Sequence, residues 1–183
     1  GITTVCNNKC VFCLDGGNKK STFKSKDEVT KEFKQGRKEG CTRLILSGGE
    51  ATIHSDFIEF IKIGKRLGYK KVQVITNGRM FSYGNFLKSA IKAGLNEITF
   101  SIHGHNAEIH DGLTLVNGSF EQIIKAMRNA LKSGIIVSGD IVINKMNVQN
   151  FPQIMTFLLN LGVTEFDLLY LLQLHHLVYQ LLL

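Results

Sequence analysis

Apolar positions along this chain follow two alternating periods. Stretches with an apolar residue every three or four positions predict helices, and each gives way, past a glycine, to a short β-branched run. Phe57, Phe60 and Ile61 form one helical stripe; Phe120, Ile123, Ile124, Met127 and Leu131 form another. Five helices are predicted to end at Gly40, Gly68, Gly94, Gly134 and Gly162, where a residue without Cβ reaches the left-handed conformation cheaply. The runs that follow are T-R-L-I-L-S, K-V-Q-V-I-T, E-I-T-F-S-I, the stretch 135–143 and E-F-D-L-L-Y. Ser25 with Glu28, and Ser119 with Gln122, have capping-box spacing, and Asn150 can cap the helix that holds Pro152.

With residues 2–5 counted as a first strand, six strands alternate with five helices. Such strands, buried on both faces, make a parallel sheet with right-handed crossovers. No reversal of order shows in the repeat, so the expected fold is α/β, a partial (β/α)6 TIM-like barrel over residues 1–170. Residues 171–183 are an apolar tail without a capped helix, and with the abrupt start they read as a trimmed core domain. In sheets of this kind ligands bind at the carboxyl ends of the strands.

Composition changes this picture little. The 183 residues are 44% hydrophobic with a single proline, which supports one folded domain and argues against disorder. Of the net charge of +7, residues 1–43 hold ten Lys/Arg against five Asp/Glu. A solvated face is the expected reading, ahead of a docking surface for an acidic peptide or RNA. No membrane partner is expected, because Asp167, His175 and His176 interrupt the apolar end. Four cysteines and no recognisable signal peptide suggest a reducing compartment, the cytoplasm, where thiols serve metals more than disulfides.

The chemistry sits at the expected strand ends. Cys6, Cys10 and Cys13 follow residues 2–5 with C-x3-C-x2-C spacing, compact enough to aim three sulfurs at one centre. Thiolates packed so closely repel one another unless a metal neutralises them. Structural zinc and iron–sulfur clusters both usually take four ligands, and the remaining cysteine, Cys41, lies at the wrong end of a strand. A four-iron cluster with one open iron is the simplest reading. Later strand ends carry Gly48-Gly49-Glu50, Thr76-Asn77-Gly78, Ser101 with His103, Asn144 and Tyr170. Taken alone, Gly48-Gly49 would read as a tight turn.

Together, C-x3-C-x2-C and Gly48-Gly49-Glu50 at neighbouring strand ends resemble the radical S-adenosylmethionine (radical SAM) superfamily over residues 1 to about 170. The resemblance implies a [4Fe-4S] cluster on Cys6, Cys10 and Cys13, with S-adenosylmethionine on the open iron. It implies that Phe12 lies against the adenine and that Gly48, Gly49 and Glu50 accept from the methionine ammonium. Thr76, Ser101 and Asn144 would make polar contacts to its carboxylate and ribose. The implied reaction is reductive cleavage to a 5′-deoxyadenosyl radical that abstracts hydrogen from a peptide, small metabolite or RNA. A low-potential donor of the flavodoxin or ferredoxin type would supply the electron, and no stable nucleic-acid partner is expected.

Competing readings are a non-catalytic iron–sulfur or zinc protein and, more distantly, a metal hydrolase using His103 and His105. An electron carrier has no need of the ammonium acceptor that Glu50 would provide. Successive helix-ending glycines are 28, 26, 40 and 28 residues apart, and the long step, read as a rim loop, contains His103, His105, His110 and Asp111. A substrate contact by His103 and His105 competes there with ordinary buried or solvated histidines. Cys41 reads as a small buried residue, Lys19, Lys20, Lys24 and Lys26 as solvated, and Asp15-Gly16-Gly17 as a turn.

Overall fold

All five glycines expected to end helices have positive φ, from 74° at Gly134 to 114° at Gly94. They punctuate a computed structural model that describes residues 1–13 and 21–170. In chain order the elements are α1 (Lys26–Lys38), β1 (Arg43–Leu46), α2 (Phe57–Arg66), β2 (Lys71–Thr76), α3 (Gly84–Ala93) and β3 (Glu97–Ser101). After these come α4 (Ala107–Thr114), α5 (Ser119–Lys132), β4 (Ile136–Ile143), α6 (Phe151–Leu161) and β5 (Glu165–Tyr170). The capping box of Ser25 and Glu28 opens α1 with both of its hydrogen bonds. The expected turn at Asp15-Gly16-Gly17, Lys19, Lys20 and the apolar tail lie outside the described residues.

The strands pair in sequential order, β1-β2-β3-β4-β5, every pair parallel. Sequential order with right-handed crossovers puts every helix on one side of the sheet. Among the described residues the two edge strands do not pair, so the sheet there is an open, partial barrel of five regular strands. Its helix-facing side chains, among them Leu44, Leu46, Val72, Val74, Ile98, Phe100 and Ile141, pack on Phe33, Phe57, Phe60, Ile123, Met127 and Leu158. Each large side chain fully buried there contributes about 1.5–3 kcal/mol.

The expectation that the strands are buried on both faces holds for β3 and fails for the other four. Burial alternates along β2, and the face away from the helices carries a polar ladder. Arg43 Nη1 donates to Gln73 Oε1 at 2.8 Å, Gln73 Nε2 to Thr99 Oγ1 at 2.7 Å, and Thr99 and Ser138 share a bond of 2.8 Å. Glu97 beside it is clasped by Arg43 and by Lys71, the latter at 2.6 Å. Helices cover one side only, so alternate side chains meet a wetter interior.

The predicted first strand is irregular. Residues 2–5 run beside the chain just past β1: Ile2 N donates to Ser47 O, Gly49 N to Thr3 O and Glu50 N to Val5 O, each at 2.8 Å. The alternating ladder of a strand is broken at Gly48, whose φ is 144°. Only an isolated antiparallel bridge, Thr3 to Phe23, forms on the other side.

The long glycine step is not a loop; it holds an additional helix, α4. The expected box at Ser119 is replaced by a cap from that helix. Ser119 is the first residue of α5, and the Asp111 carboxylate accepts from Gly118 N, Ser119 Oγ and Phe120 N, each at 2.7 Å. Burial raises the Asp111 carboxyl, but these bonds outweigh it and leave it below its usual value. Asn150 stands at the start of α6 without a side-chain capping bond, because a 3₁₀ turn, Val148–Asn150, leads into the helix. Cys41 is exposed rather than buried, since it precedes β1 beyond the edge of the core. Among the described residues no helix is long and apolar enough to cross a membrane.

Replacing Asp111 by Ala leaves the first turn of α5 without its acceptor. The expected loss is about 1–3 kcal/mol in urea denaturation, with Asp111→Asn retaining part of it.

Candidate active site at the strand carboxyl ends

The cysteine loop sits on this rim, held from three sides. Lys9 N donates to Thr114 O at 2.9 Å and Val11 N to Leu113 O at 3.0 Å, so the loop docks on the last carbonyls of α4. Those carbonyls have no further turn of helix to accept from. Leu115 ends the helix in the left-handed region (φ 54°), which a side chain with Cβ adopts at a cost. Arg79, in the 3₁₀ turn after β2, donates from Nη1 to Asn7 O and Asn8 Oδ1 and from Nε to Gln122 Oε1 of α5. The Phe12 and His103 rings meet in a T-shaped contact, 4.6 Å between centroids.

All four cysteines are free thiols, with Cys6 and Cys13 exposed and Cys10 half-buried. Burial, reinforced by the charges of Cys6 and Cys13, pushes the Cys10 thiol up to about 12. Cys6 is raised by burial and by Glu50 and Cys13, against hydrogen bonds from Asn8 and Asn77. The three sulfurs are therefore near enough to oppose one another's ionisation, and metal coordination is the means of keeping them as thiolates. Among the described residues no three His, Cys, Asp or Glu side chains are grouped as ligands of a single ion. A cuboidal cluster bonds each thiolate to a different iron and so spreads its ligands. Three thiols on one short loop are a soft, all-sulfur donor set, which fits an iron–sulfur cluster.

Gly48 and Gly49 are fixed by the chain that crosses them. A Cβ on Gly48 would stand 2.2 Å from Thr3 O, and one on Gly49 would stand 2.3 Å from Val5 O. The glycine pair admits residues 2–5, a backbone approach that sequence alone did not indicate. Gly48 is exposed and Gly49 half-buried, and their carbonyls accept no hydrogen bond among the described residues.

Glu50 turns inward, 1% exposed. Its Oε1 accepts from Thr52 N at 3.0 Å, from Thr52 Oγ1 at 2.5 Å and from Thr76 Oγ1 at 2.7 Å, and its Oε2 from Asn77 N at 2.7 Å. Burial raises its pKa against these four bonds. Thr76 is likewise engaged, donating to Glu50 and accepting from Gly78 N at 3.0 Å. Asn144, 7% exposed, uses its amide locally, giving Nδ2 to Val142 O and accepting from Met146 N. Ser101, half-buried at the end of β3, keeps a hydroxyl without a partner among the described residues.

His103 and His110 stack at 5.9 Å with 13° between planes, 3% and 1% exposed. Backbone N–H groups reach the Nδ1 of each: Val142 N at 3.3 Å for His103 and His103 N at 3.2 Å for His110. Burial, with the neighbouring His110, lowers His103 to about 3; burial lowers His110 to about 4 despite Asp111. The pair is a neutral packing unit beneath Phe12, and His105 does not join it in a ligand set. Sequence reasoning passed over Asn7, Asn8, Arg79 and the end of α4, and it noted Asn77 only as part of its turn. It also passed over Asp140, whose carboxyl is raised to about 6 by burial and by its register partner Asp167.

The family model described as the radical SAM superfamily matches residues 1–158. The chain is 30% identical over 170 residues to a probable GTP 3′,8-cyclase of Saccharolobus solfataricus, covering 92% of this chain and 54% of the relative. Its counterpart in Sulfurisphaera tokodaii is 28% identical over 176 residues, covering 95% and 54%. The chain thus spans about half the length of these curated relatives. Among solved structures, Streptococcus suis SuiB bound to S-adenosylmethionine superposes with a TM-score of 0.78 at 16% identity, covering 95% of this chain and 40% of that one. Native anSMEcpe with bound AdoMet gives 0.74 at 19%, covering 92% and 50%. At these identities the solved structures speak to the fold alone.

Two outcomes follow from this geometry. Gly49→Ala forces the Val5 carbonyl away and is expected to destabilise the protein by about 1–3 kcal/mol in urea denaturation. The unfolded chain protonates His103 and His110 below about pH 6.5, whereas the folded chain resists until about pH 3 at His103 and about pH 4 at His110. Their contribution is complete above pH 6.5 and is lost progressively below it. The urea midpoint should fall from pH 6.5 toward pH 4, with a slope of up to about 1.4 kcal/mol per pH unit per histidine. His110→Asn should remove one histidine's share of that slope.

Proposed function

The chain belongs to the radical SAM superfamily, and on that premise we propose that it is the cluster- and cofactor-binding core of a radical SAM enzyme. Cys6, Cys10 and Cys13 would hold the [4Fe-4S] cluster, and the ends of β1 to β4 would hold S-adenosylmethionine. When bound, this pair supplies a reductively generated 5′-deoxyadenosyl radical that takes a hydrogen atom from the substrate. The observation that carries the reading is a loop of three free, mutually opposed thiols whose lead-in, residues 2–5, is hydrogen-bonded to the Gly48-Gly49-Glu50 turn.

The remaining roles follow from which groups are free. The carbonyls of Gly48 and Gly49 are open acceptors for the methionine ammonium, while Glu50 fixes their position from within. The Ser101 hydroxyl is open to the cofactor's ribose or carboxylate. Thr76 and Asn144 support the rim, since their side chains are already engaged. Phe12, braced by His103, offers a ring face to the adenine. The exposed Cys6 and Cys13 suit electron entry from a low-potential donor of the flavodoxin or ferredoxin type. Substrate classes to test are nucleotides, because the sequence relatives are named as GTP cyclases, and peptides, because one related structure holds the precursor peptide SuiA.

The test is anaerobic reconstitution with iron and sulfide, then dithionite and S-adenosylmethionine, with GTP or a peptide in parallel arms. Formation of 5′-deoxyadenosine, abolished by Cys10→Ala, is expected. A cluster whose electron paramagnetic resonance spectrum ignores S-adenosylmethionine would return the chain to a non-catalytic iron–sulfur protein.

A further inference from the structure

The turn after β2 reaches the cysteine loop through the side chain of Asn77. Asn77 is 8% exposed, and both polar atoms of its amide are engaged. Its Oδ1 accepts from Arg79 N at 3.1 Å, which fixes the amide orientation. Nδ2 therefore faces the loop, donating to Asn7 Oδ1 at 2.6 Å and standing 3.8 Å from Cys6 Sγ. The backbone N–H of Asn77 meanwhile donates to Glu50 Oε2. One residue thus ties the buried carboxylate of the glycine turn to the first cysteine. Asn8 N, at 3.3 Å, is the second donor to the same sulfur.

Donors aimed at a cluster's cysteine sulfur stabilise its more negative, reduced form and so raise the potential. We infer that Asn77 is a positioning residue for the cluster: its amide holds Cys6 in place and sets the reduction potential through the Cys6 sulfur. This rests on the reading that Cys6, Cys10 and Cys13 hold a [4Fe-4S] cluster. Arg79 has a separable part. Its side chain grips Asn7, Asn8 and Gln122 without reaching the sulfur, so it secures the loop and leaves the potential alone.

The test is a redox titration of the reconstituted protein, followed by electron paramagnetic resonance in the absence of S-adenosylmethionine. Asn77→Asp keeps the acceptor for Arg79 N, removes the donors and adds a negative charge beside Cys6. It should lower the ratio of reduced to oxidised cluster at fixed potential about tenfold, a fall of about 59 mV for a one-electron couple. Asn77→Ala should lower it in the same direction and by less. Arg79→Lys should lose iron faster on gel filtration while keeping the wild-type potential. Variants of Asn77 that load fully at the wild-type potential would overturn the inference, as would Arg79→Lys shifting the potential as far as Asn77→Ala. Loss of iron by Asn77→Ala with an unchanged circular dichroism spectrum supports the positioning role. A wild-type chain that takes up no cluster defeats the parent reading; a loaded wild type with indifferent Asn77 variants defeats this inference alone.

Discussion

A carboxylate buried at the end of β1 is the constraint on which the rim depends. Glu50 is turned away from solvent and could not stay there unpartnered, so the chain supplies four donors from Thr52, Thr76 and Asn77. Two of those residues belong to the end of β2. The bonds therefore lock the two strand ends together, and Asn77 extends the lock to the cysteine loop. The glycine pair before Glu50 admits residues 2–5, so the segment that delivers Cys6 is set by the same turn.

A second support comes from α4, which follows the middle strand of the sheet. α4 receives the cysteine loop on its last carbonyls, while Asp111 on that helix caps α5 and His110 packs under His103. The helix is short and ends at a leucine in the left-handed region, an arrangement that tertiary contacts must hold. The neutral pair formed by His110 on this helix and His103 before it is similarly dependent on burial. Stability is thereby tied to the docking of one loop, and that loop carries the thiols.

Much of the architecture could be read before any coordinates. Gly40, Gly68, Gly94, Gly134 and Gly162 marked helix ends because few other residues take positive φ cheaply, and the apolar runs after them became β1 to β5. Those signals are local. What escaped notice was set by partners distant in sequence. The cap of α5 comes from Asp111 rather than Ser119, and α4 was hidden in a segment read as a loop. Residues 2–5 looked like a strand, but their pairing is distorted by the glycines 45 or so positions on. Cys41 looked like core because its type favours burial, yet it lies outside the sheet.

The site divides along the same line. Sequence alone determined which atoms are available: three thiols at C-x3-C-x2-C spacing, a Gly-Gly-Glu turn, an aromatic beside the last cysteine, and their placement after successive strands. Spacing along one loop and repeats of one supersecondary unit are short-range properties, so they survive without coordinates. Tertiary structure decided which of those atoms are free. Glu50, Thr76 and Asn144 are drawn into internal hydrogen bonds, whereas the carbonyls of Gly48 and Gly49 and the hydroxyl of Ser101 are not. Burial compels each polar group to find whichever donor or acceptor the fold brings near, and that choice is made only when strands far apart in the chain come together.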